Sequence, residues 1–510
     1  MTSVIIIGAG LGGIATAARL ARAGYQVSVY EKQATPGGRT EVVQGKGFRF
    51  DAGPTLFLMP EVWRQTFAAL DKKMEDYLDL VRIDPTYRVH FHDGTHIDLT
   101  SNLIEMRQQL DSLEAGAFEN YLKFMSEGYR HYALSMEKFV GRNFYSILDE
   151  FSLSNLPLLF KLKALQKHSS NVARFFKDPR LQAAFSFQNM YLGLSPYDAP
   201  ATYSLLEYTE LAEGVWFPMG GLYRAIESLT QIAEEAGVRF HYKSPVESID
   251  VEGNRATGIT LKSGEKLRAD IVIANADLPY VYSDLLHDER MTQNLDKKVY
   301  TSSALMFYWG FKGKRSDQLM HHNVFLADDQ FKKSFDKIFK ELTLPDVPSF
   351  YLNVPARTDP NFAPVDGEGI MALVPVGHIN DQDPQDWAEL EGRARQIIFQ
   401  RLAQMGLPDL EERLVFEAKW GPPYYKKTLN LAKGSAFGLS HNFMQVGYLR
   451  PHNRHDRYQN LYFVGASTHP GTGLPIVLLS AKLVSQRVTQ ELPSEKPVML
   501  PIGKPISQQA

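Results

Sequence analysis

The apolar positions of this chain keep two rhythms, and the changes between them mark its organisation. Val4-Ile5-Ile6-Ile7 is an unbroken β-branched run, the pattern of a strand covered on both faces. Gly8-Ala9-Gly10-Leu11-Gly12-Gly13 follows. An Ala-rich stretch from Ile14 to Ala23 then predicts a helix, stopped by Gly24. Gln26 to Tyr30 predicts a second strand with Glu31 at its end. This is one βαβ unit, and the sheet it starts is expected to be parallel. The same texture returns as a helix over Ala225–Ala236, strands over Val238–Tyr242 and Asp270–Ala274, and a hairpin-like pair at Val246–Val251 and Ile259–Leu261. It returns again as a strand over Leu461–Val464, a Gly/Pro turn, and a helix from Ile476.

The intervening stretches read differently. Val89 to Ile97 predicts a hairpin turning at Asp93-Gly94. Long helical patterns rich in Leu, Phe and Tyr follow, and Ser303–Phe311 predicts an apolar strand within a mixed region. The expected fold class is α/β. A Rossmann-like domain with a parallel sheet, from residues 1–85, 221–278 and 430–490, is interleaved with a mixed α+β domain from 86–220 and 279–429. The second domain carries a helical part near 140–180. Residues 491–510 contain four prolines and predict a loose tail.

Composition narrows the chemistry. At roughly 100–200 residues per domain, 510 residues need more than one core. A net charge of −3 gives no basic face for nucleic acid. With 0 cysteines there are no disulfides, thiolate zinc sites, cysteine nucleophiles or cysteine-held iron–sulfur clusters, so redox chemistry needs a bound cofactor. No charged n-region and apolar h-region precede Val4, and no apolar run is long enough to span a bilayer. The expectation is no signal peptide and no transmembrane helix.

Gly8, Gly10 and Gly13 form G-x-G-x-x-G between a strand and a helix, with an acid closing the next strand. Gly8 permits the turn, Gly10 lets a pyrophosphate approach the backbone, and Gly13 lets the helix pack on the strand. The helix N-terminus offers free N–H groups to phosphate. Glu31 would accept from a ribose hydroxyl. Gly37, Gly38 and Arg39 follow closely, and Arg39 can pair with a phosphate. A second loop, Gly465 to Pro475, leads into another helix, whose N-terminus suits the electron-rich pyrimidine edge of a flavin. A nicotinamide enzyme has no need of this distant loop.

Beyond these glycines the chain carries Pro36-Gly37-Gly38-Arg39, Phe50-Asp51-Ala52-Gly53-Pro54-Thr55, Ser195-Pro196-Tyr197-Asp198-Ala199-Pro200, Gly214 to Gly221, Asn275-Ala276-Asp277, Gly434-Ser435-Ala436-Phe437, and Arg450 to Arg454. With them, the chain resembles the bacterial and fungal phytoene desaturases, carotenoid desaturases of the amine-oxidase-like FAD superfamily, from Val4 to about Gln490. The resemblance implies non-covalent FAD and stepwise desaturation of phytoene towards lycopene. It also implies a hydrophobic substrate domain, and oxygen or a membrane quinone as electron acceptor. Gly8, Gly10, Gly12, Gly13, Glu31, Lys32, Gly38 and Arg39 would hold the adenosine and pyrophosphate, with the Val246 backbone at the adenine. Gly465, Ala466, Thr472, Gly473 and Leu474 would line the flavin, with Asp51, Gly53, Pro54 and Thr55 near its ring. A C30 diapophytoene desaturase, a carotenoid-oxidising flavoenzyme of the same fold, a flavin amine oxidase and a non-enzymatic FAD-binding scaffold stay open as alternatives.

Desaturating a hydrocarbon removes a hydride and a proton from adjacent carbons. It calls for alignment in a dry apolar tunnel rather than for an oxyanion hole. Tyr191, Tyr203, Tyr208, Trp216 and Phe217 are candidate tunnel-wall residues, with ordinary core packing as the competing reading. His469, inside the second loop, is the candidate proton acceptor, against a structural hydrogen bond. Some relatives have an Arg-Asp pair where this chain reads Phe144-Tyr145-Ser146-Ile147, so no acid is carried over from there. His90, His92 and His96 invite a metal reading, but no acid completes a site, and a hairpin with exposed histidines is expected instead. Phe151 to Phe176 mixes Leu and Phe with Lys161, Lys163, Lys167 and Arg174. It reads as either a buried helix pair with snorkelling lysines or a one-face membrane contact. A substrate dissolved in lipid favours the second, and with it a peripheral membrane protein on the cytoplasmic side.

Overall fold

The computed structural model describes residues 1–150, 155–313, 316–327 and 331–494. A five-stranded parallel sheet runs in the order Leu461–Phe463, Ile271–Ala274, Ser3–Ile7, Gln26–Tyr30, Arg239–His241. Its strands come from distant parts of the chain, and each is a short apolar run. Ile6, Val29, Val272 and Ile273 are fully buried, because helices cover the sheet. The helix Leu11–Arg22 packs against both Tyr223–Glu235 and Leu474–Glu491. Its residues from Leu11 to Leu20 are all buried, which the run of small Ala and Gly side chains makes possible.

A second sheet has seven strands, in the order Leu414–Trp420, Ser303–Lys312, Gly367–Val376, Phe350–Asn353, His322–Phe325, Tyr87–His90, His96–Leu99. All its pairings are antiparallel except Tyr87–His90 with His322–Phe325. The long strand Ser303–Lys312 explains its own unbroken apolar sequence. Leu305, Phe307, Trp309 and Phe311 face a core shared with the helix Trp387–Gln404, and Ala304, Met306 and Tyr308 face a second core with Phe48 and Phe50. A helical layer covers the hairpin end. Leu103–Leu113 and Ala117–Ser135 bury Met106, Leu110, Tyr121 and Phe124 with Tyr87, Val89 and Leu99.

The structure departs from the sequence reading in local ways. The first helix begins at Leu11 rather than Ile14, since Gly10 is its extended N-cap and the glycine motif forms its first turn. The last helix begins at Leu474. The hairpin turns where Asp93-Gly94 places it, but His90 is not exposed as expected: its ring lies buried against Phe325 at 4.3 Å. The segment near 140–180 is broken into short pieces, including Leu156–Lys161 and His168–Val172. Residues 151–154 of that segment, and 495–510 of the Pro-containing tail, lie outside the described residues. Among the described residues no helix is long and apolar enough to cross a membrane.

The parallel sheet depends on close packing at its centre, where Ile273 is 0% exposed. Ile273→Ala is expected to cost about 2–5 kcal/mol, whereas Val251→Ala, at a site 37% exposed, should stay within about 0.5 kcal/mol. Chemical denaturation midpoints of the two variants check this, and equal midpoints would contradict it.

Candidate functional site

One cavity of about 950 Å³ joins the ends of the parallel strands to the face of the seven-stranded sheet. Its first half is built by backbone. The helix Leu11–Arg22 starts with no side-chain cap, so its first N–H groups are free to meet an anion. Gly8 adopts φ 97°, and a Cβ on Gly13 would lie 2.2 Å from the Gly8 carbonyl oxygen. Only glycine allows this turn and this helix–strand approach. Asn275 braces the same loop: its Nδ2 donates to the Gly8 carbonyl at 3.2 Å.

Glu31 is buried at the end of the second strand. Its carboxylate accepts from the Ala9 N–H at 2.7 Å and the Gln33 N–H at 2.8 Å. Two carboxylate oxygens offer about four acceptor positions, so the fixed group keeps capacity for a sugar hydroxyl. Arg39 lies 3.6 Å from the buried Asp277, whose other oxygen accepts from the Ala432 N–H at 2.9 Å. Burial lowers the Arg39 pKa and Asp277 counteracts it, holding a cation at the cavity wall.

The second loop reaches the same cavity. The helix Leu474–Glu491 also starts without a side-chain cap, behind Gly473 at φ 106°. The loop is held from below by Arg450, which is 1% exposed. Arg450 donates to the carbonyls of Ala466 (2.6 Å), Thr468 (3.1 Å), Gln445 (3.0 Å) and Ser440 (3.1 Å). Burial lowers its pKa to about 10, so the guanidinium stays charged at neutral pH. The His441 Nε2 accepts from the Thr472 N–H at 3.1 Å. Burial holds His441 well below the usual histidine range, which keeps the neutral, accepting form.

The cavity gathers nearly all the residues singled out for a dinucleotide: Gly8, Gly10, Gly12, Glu31, Lys32, Gly38, Arg39, Gly53, Pro54, Thr55, Val246, Gly465, Ala466, Thr472, Gly473 and Leu474 line it. Gly13 sits behind the lining. Asp51 does too; it accepts from the Leu222 N–H at 2.8 Å beside the helix Tyr223–Glu235, and burial raises its pKa to about 6. His469 does not reach the cavity. Its ring is buried edge-on to Phe144 at 5.1 Å, and its Nε2–H donates to the Arg142 carbonyl at 2.9 Å. Burial lowers its pKa to about 4, so the ring is a neutral donor that fastens the loop to the Arg142 segment.

Of the aromatic candidates, Tyr191 lines the cavity's second half and the others stand elsewhere. The Tyr203 hydroxyl donates to the His441 carbonyl at 2.8 Å and so buttresses the second loop. Tyr208 packs on Tyr129 and Tyr132. The Trp216 Nε1–H donates to the Glu213 carbonyl at 3.0 Å, and Phe217 packs on His321 and Phe362. The chamber is walled instead by residues that carried no sequence signal, among them Phe187, Met190, Met306, Phe335, Ile338 and Tyr351. These are spread over 165 positions of sequence, from Phe187 to Tyr351, and only the fold collects them. Among the described residues no group of three or more His, Asp and Glu is placed to hold a metal ion.

Residues 11–489 match the family described as flavin containing amine oxidoreductase. The chain is 47% identical over 488 residues to a zeta-carotene-forming phytoene desaturase of Myxococcus xanthus, covering 95% of this chain and 93% of that relative. It is 44% identical to the phytoene desaturase of Phycomyces blakesleeanus, over 95% of this chain and 85% of the relative. It is 32% identical to a 4,4'-diapophytoene desaturase (4,4'-diaponeurosporene-forming) of Staphylococcus aureus, over 96% and 99%. Among solved structures, a putrescine oxidase bound to putrescine superposes with a TM-score of 0.60 at 15% identity, over 96% of this chain and 98% of that one. A RAB GDI from Plasmodium falciparum superposes with a TM-score of 0.53 at 12% identity, over 98% and 99%. These two show a shared fold and nothing more. The chain belongs to the flavin-containing amine oxidoreductases, and within them to the phytoene desaturase family.

Proposed function

We propose that this protein is an FAD-dependent desaturase that introduces double bonds into phytoene, in steps towards lycopene. The observation that carries the reading is the single cavity. Two uncapped helix N-termini, a fixed carboxylate and the partly buried Arg39 form one half of it, and a chamber of Phe, Met, Leu and Tyr forms the other. The parallel-sheet segments, 1–85, 221–278 and 430–490, act as the FAD domain in this reading, and 86–220 with 279–429 as the substrate domain.

The residues present fit the cofactor. In the glycine cradle between Gly8 and Gly13 a Cβ would press on the Gly8 carbonyl or on Asn275, so glycines hold the loop tight and leave the backbone N–H groups of the helix end open to a pyrophosphate. In this reading Glu31 orients the adenosine ribose, Lys32 and Val246 border the adenine, and Arg39 with Gly38 neutralises the pyrophosphate side. Gly465, Ala466, Thr472, Gly473 and Leu474 present backbone to the flavin, with Gly53, Pro54 and Thr55 near its ring. When bound, FAD supplies a two-electron acceptor for a hydride. The chain's own part is to align an unactivated C–H bond and to keep water out. Phe187, Met190, Met306, Phe335 and Ile338 do this with apolar walls, and Tyr191 and Tyr351 add π faces that tolerate an allylic cation. The electron acceptor in this reading is oxygen or a membrane quinone.

Expression in a host that accumulates colourless phytoene tests the reading. A coloured, more desaturated carotenoid and a flavin-loaded purified protein are expected. Unchanged phytoene beside a flavin-loaded protein would contradict it, and conversion of diapophytoene alone would move the substrate to the C30 class.

We further propose that the protein docks on one face of a membrane, from which the substrate enters. Around the broken helical segment, Tyr145, Ile147, Leu148, Phe160, Leu165 and Met444 are exposed, with Phe160 at 77% and Leu165 at 74%. Lys161 and Lys167 are exposed on the same stretch. Such apolar tips beside cations suit a lipid interface. A fully buried Phe or Leu contributes about 1.5–3 kcal/mol, so Phe160→Ser with Leu165→Ser should weaken liposome binding at least tenfold (about 1.4 kcal/mol per decade). Co-flotation of wild type and double variant measures this, and equal flotation would overturn the proposed face.

A further inference from the structure

Behind the loop that borders the proposed flavin site lies a buried cation without a counterion. Arg450 stands one layer behind the cavity lining rather than in it. Every acceptor of its guanidinium is a backbone carbonyl: Ala466 at 2.6 Å, Gln445 at 3.0 Å, Thr468 and Ser440 at 3.1 Å, and Leu439 at 3.4 Å. Among the described residues no carboxylate forms an ion pair with it. The nearby Asp277 is engaged by Arg39 at 3.6 Å, by the Ala432 N–H at 2.9 Å and by the Ser467 hydroxyl. Glu150 accepts from the Tyr448 N–H. The other titratable neighbours are neutral. The Tyr203 hydroxyl donates to the His441 carbonyl at 2.8 Å, and burial keeps the His441 and His469 rings unprotonated. Burying a lone charge is costly. A neutral amide side chain could gather carbonyls at lower cost, so the charge itself calls for a use.

The shortest of these bonds shows where the charge acts. Ala466 and Ser467 both line the cavity, and the peptide that joins them is trans. In a trans peptide the C=O and N–H groups point in opposite directions. The Ala466 C=O points back to Arg450, so the Ser467 N–H points forward, to the cavity. Ser467 is buried, and among the described residues nothing accepts from its N–H. Buried N–H groups are rarely left without a partner, so this donor calls for an acceptor on a bound group. A cation at the carbonyl end polarises the peptide and strengthens the donor at its other end. The uncapped start of the helix Leu474–Glu491, on the same loop, adds partial charge of the same sign.

We propose that Arg450 is a positioning residue that makes the bound cofactor a stronger oxidant: through the Ala466–Ser467 peptide it aims and polarises the Ser467 N–H towards the pyrimidine edge of FAD. The proposal rests on the cofactor reading above. A hydride carries two electrons and one proton. Its departure leaves a cationic carbon on the substrate, and its arrival adds one negative charge to the oxidant. A donor already fixed where that charge develops stabilises it without reorganisation. Removing a hydride from a hydrocarbon, which has no heteroatom to assist, needs a strong acceptor. The buried cation supplies that bias from behind the wall, where it occupies no space that cofactor or substrate needs.

Redox titration of the flavin-loaded full-length protein, without substrate, tests this. In wild type the reduced cofactor should hold its negative charge at neutral pH. Two electrons then enter with one proton, and the reduction equilibrium changes tenfold per pH unit, about 30 mV. In Arg450→Met the equilibrium should become at least tenfold less favourable. Its pH dependence should steepen towards hundredfold per pH unit, about 60 mV, because a second proton must replace the lost charge. Arg450→Lys, which keeps the charge with fewer hydrogen bonds, should restore most of the wild-type behaviour. A flavin-loaded Arg450→Met with wild-type potential and slope would overturn the proposal. Equal losses in the Met and Lys variants would overturn it too, since they would leave Arg450 only a role in loop shape. If Arg450→Met does not fold or keep flavin, the wild-type slope decides, and about 60 mV per pH unit there overturns the proposal. A folded wild type that takes up no FAD would overturn the cofactor reading itself.

Discussion

Two helix N-termini meet at one end of a parallel sheet with no side chain capping either of them, and the rest of the structure is arranged to keep them so. Uncapped N–H groups are a liability in a folded protein unless an anion or water satisfies them. Here the first helix can start at Leu11 only because the preceding glycines let the strand turn tightly and the helix approach the strand. The last helix starts behind Gly473, on a loop whose carbonyls are gathered by the buried Arg450. The two loops are more than 450 residues apart in sequence, from Gly13 to Gly465. Asn275 and Asp277, on the strand end between them, tie one to Gly8 and the other to Ala432 beside Arg39. Glu31 and His441, in the same region, accept from the Ala9, Gln33 and Thr472 N–H groups and leave those of the helix ends free.

This dependence explains what was legible in the sequence. Elements that bury both faces announce themselves: the strand Ser3–Ile7 and the long strand Ser303–Lys312 are continuous apolar runs because each has a core on either side. The anion cradle is legible too, since glycines at fixed spacing are its only solution and Glu31 must follow at the end of the next strand. The chamber is not. Its wall uses Phe187, Met190, Phe335 and Tyr351, residue types that any core uses, from elements that only the tertiary fold brings together. The aromatic-rich motif from Tyr203 to Phe217 looked like a wall because it is dense in large rings. The rings instead brace the second loop and pack neighbouring strands and helices.

His469 shows the same limit from the polar side. A histidine inside a cofactor loop attracts a catalytic reading, yet its ring points away from the cavity and donates to a backbone carbonyl. Conversely, Glu207 and Glu210 carried no signal in the sequence, and the short helix Leu205–Leu211 buries both. With no cysteine anywhere in the chain, redox chemistry falls to a bound cofactor, which the cavity meets with backbone amides at two helix ends.

The proposed desaturation requires one cavity to bring a bound flavin and a hydrocarbon together. Anaerobic mixing of the flavin-loaded protein with phytoene in liposomes tests it most directly, with the flavin absorbance followed in time and the carotenoid extracted afterwards. Bleaching of the oxidised flavin and one new double bond per flavin reduced are expected. A flavin that stays oxidised while phytoene remains unchanged would contradict it.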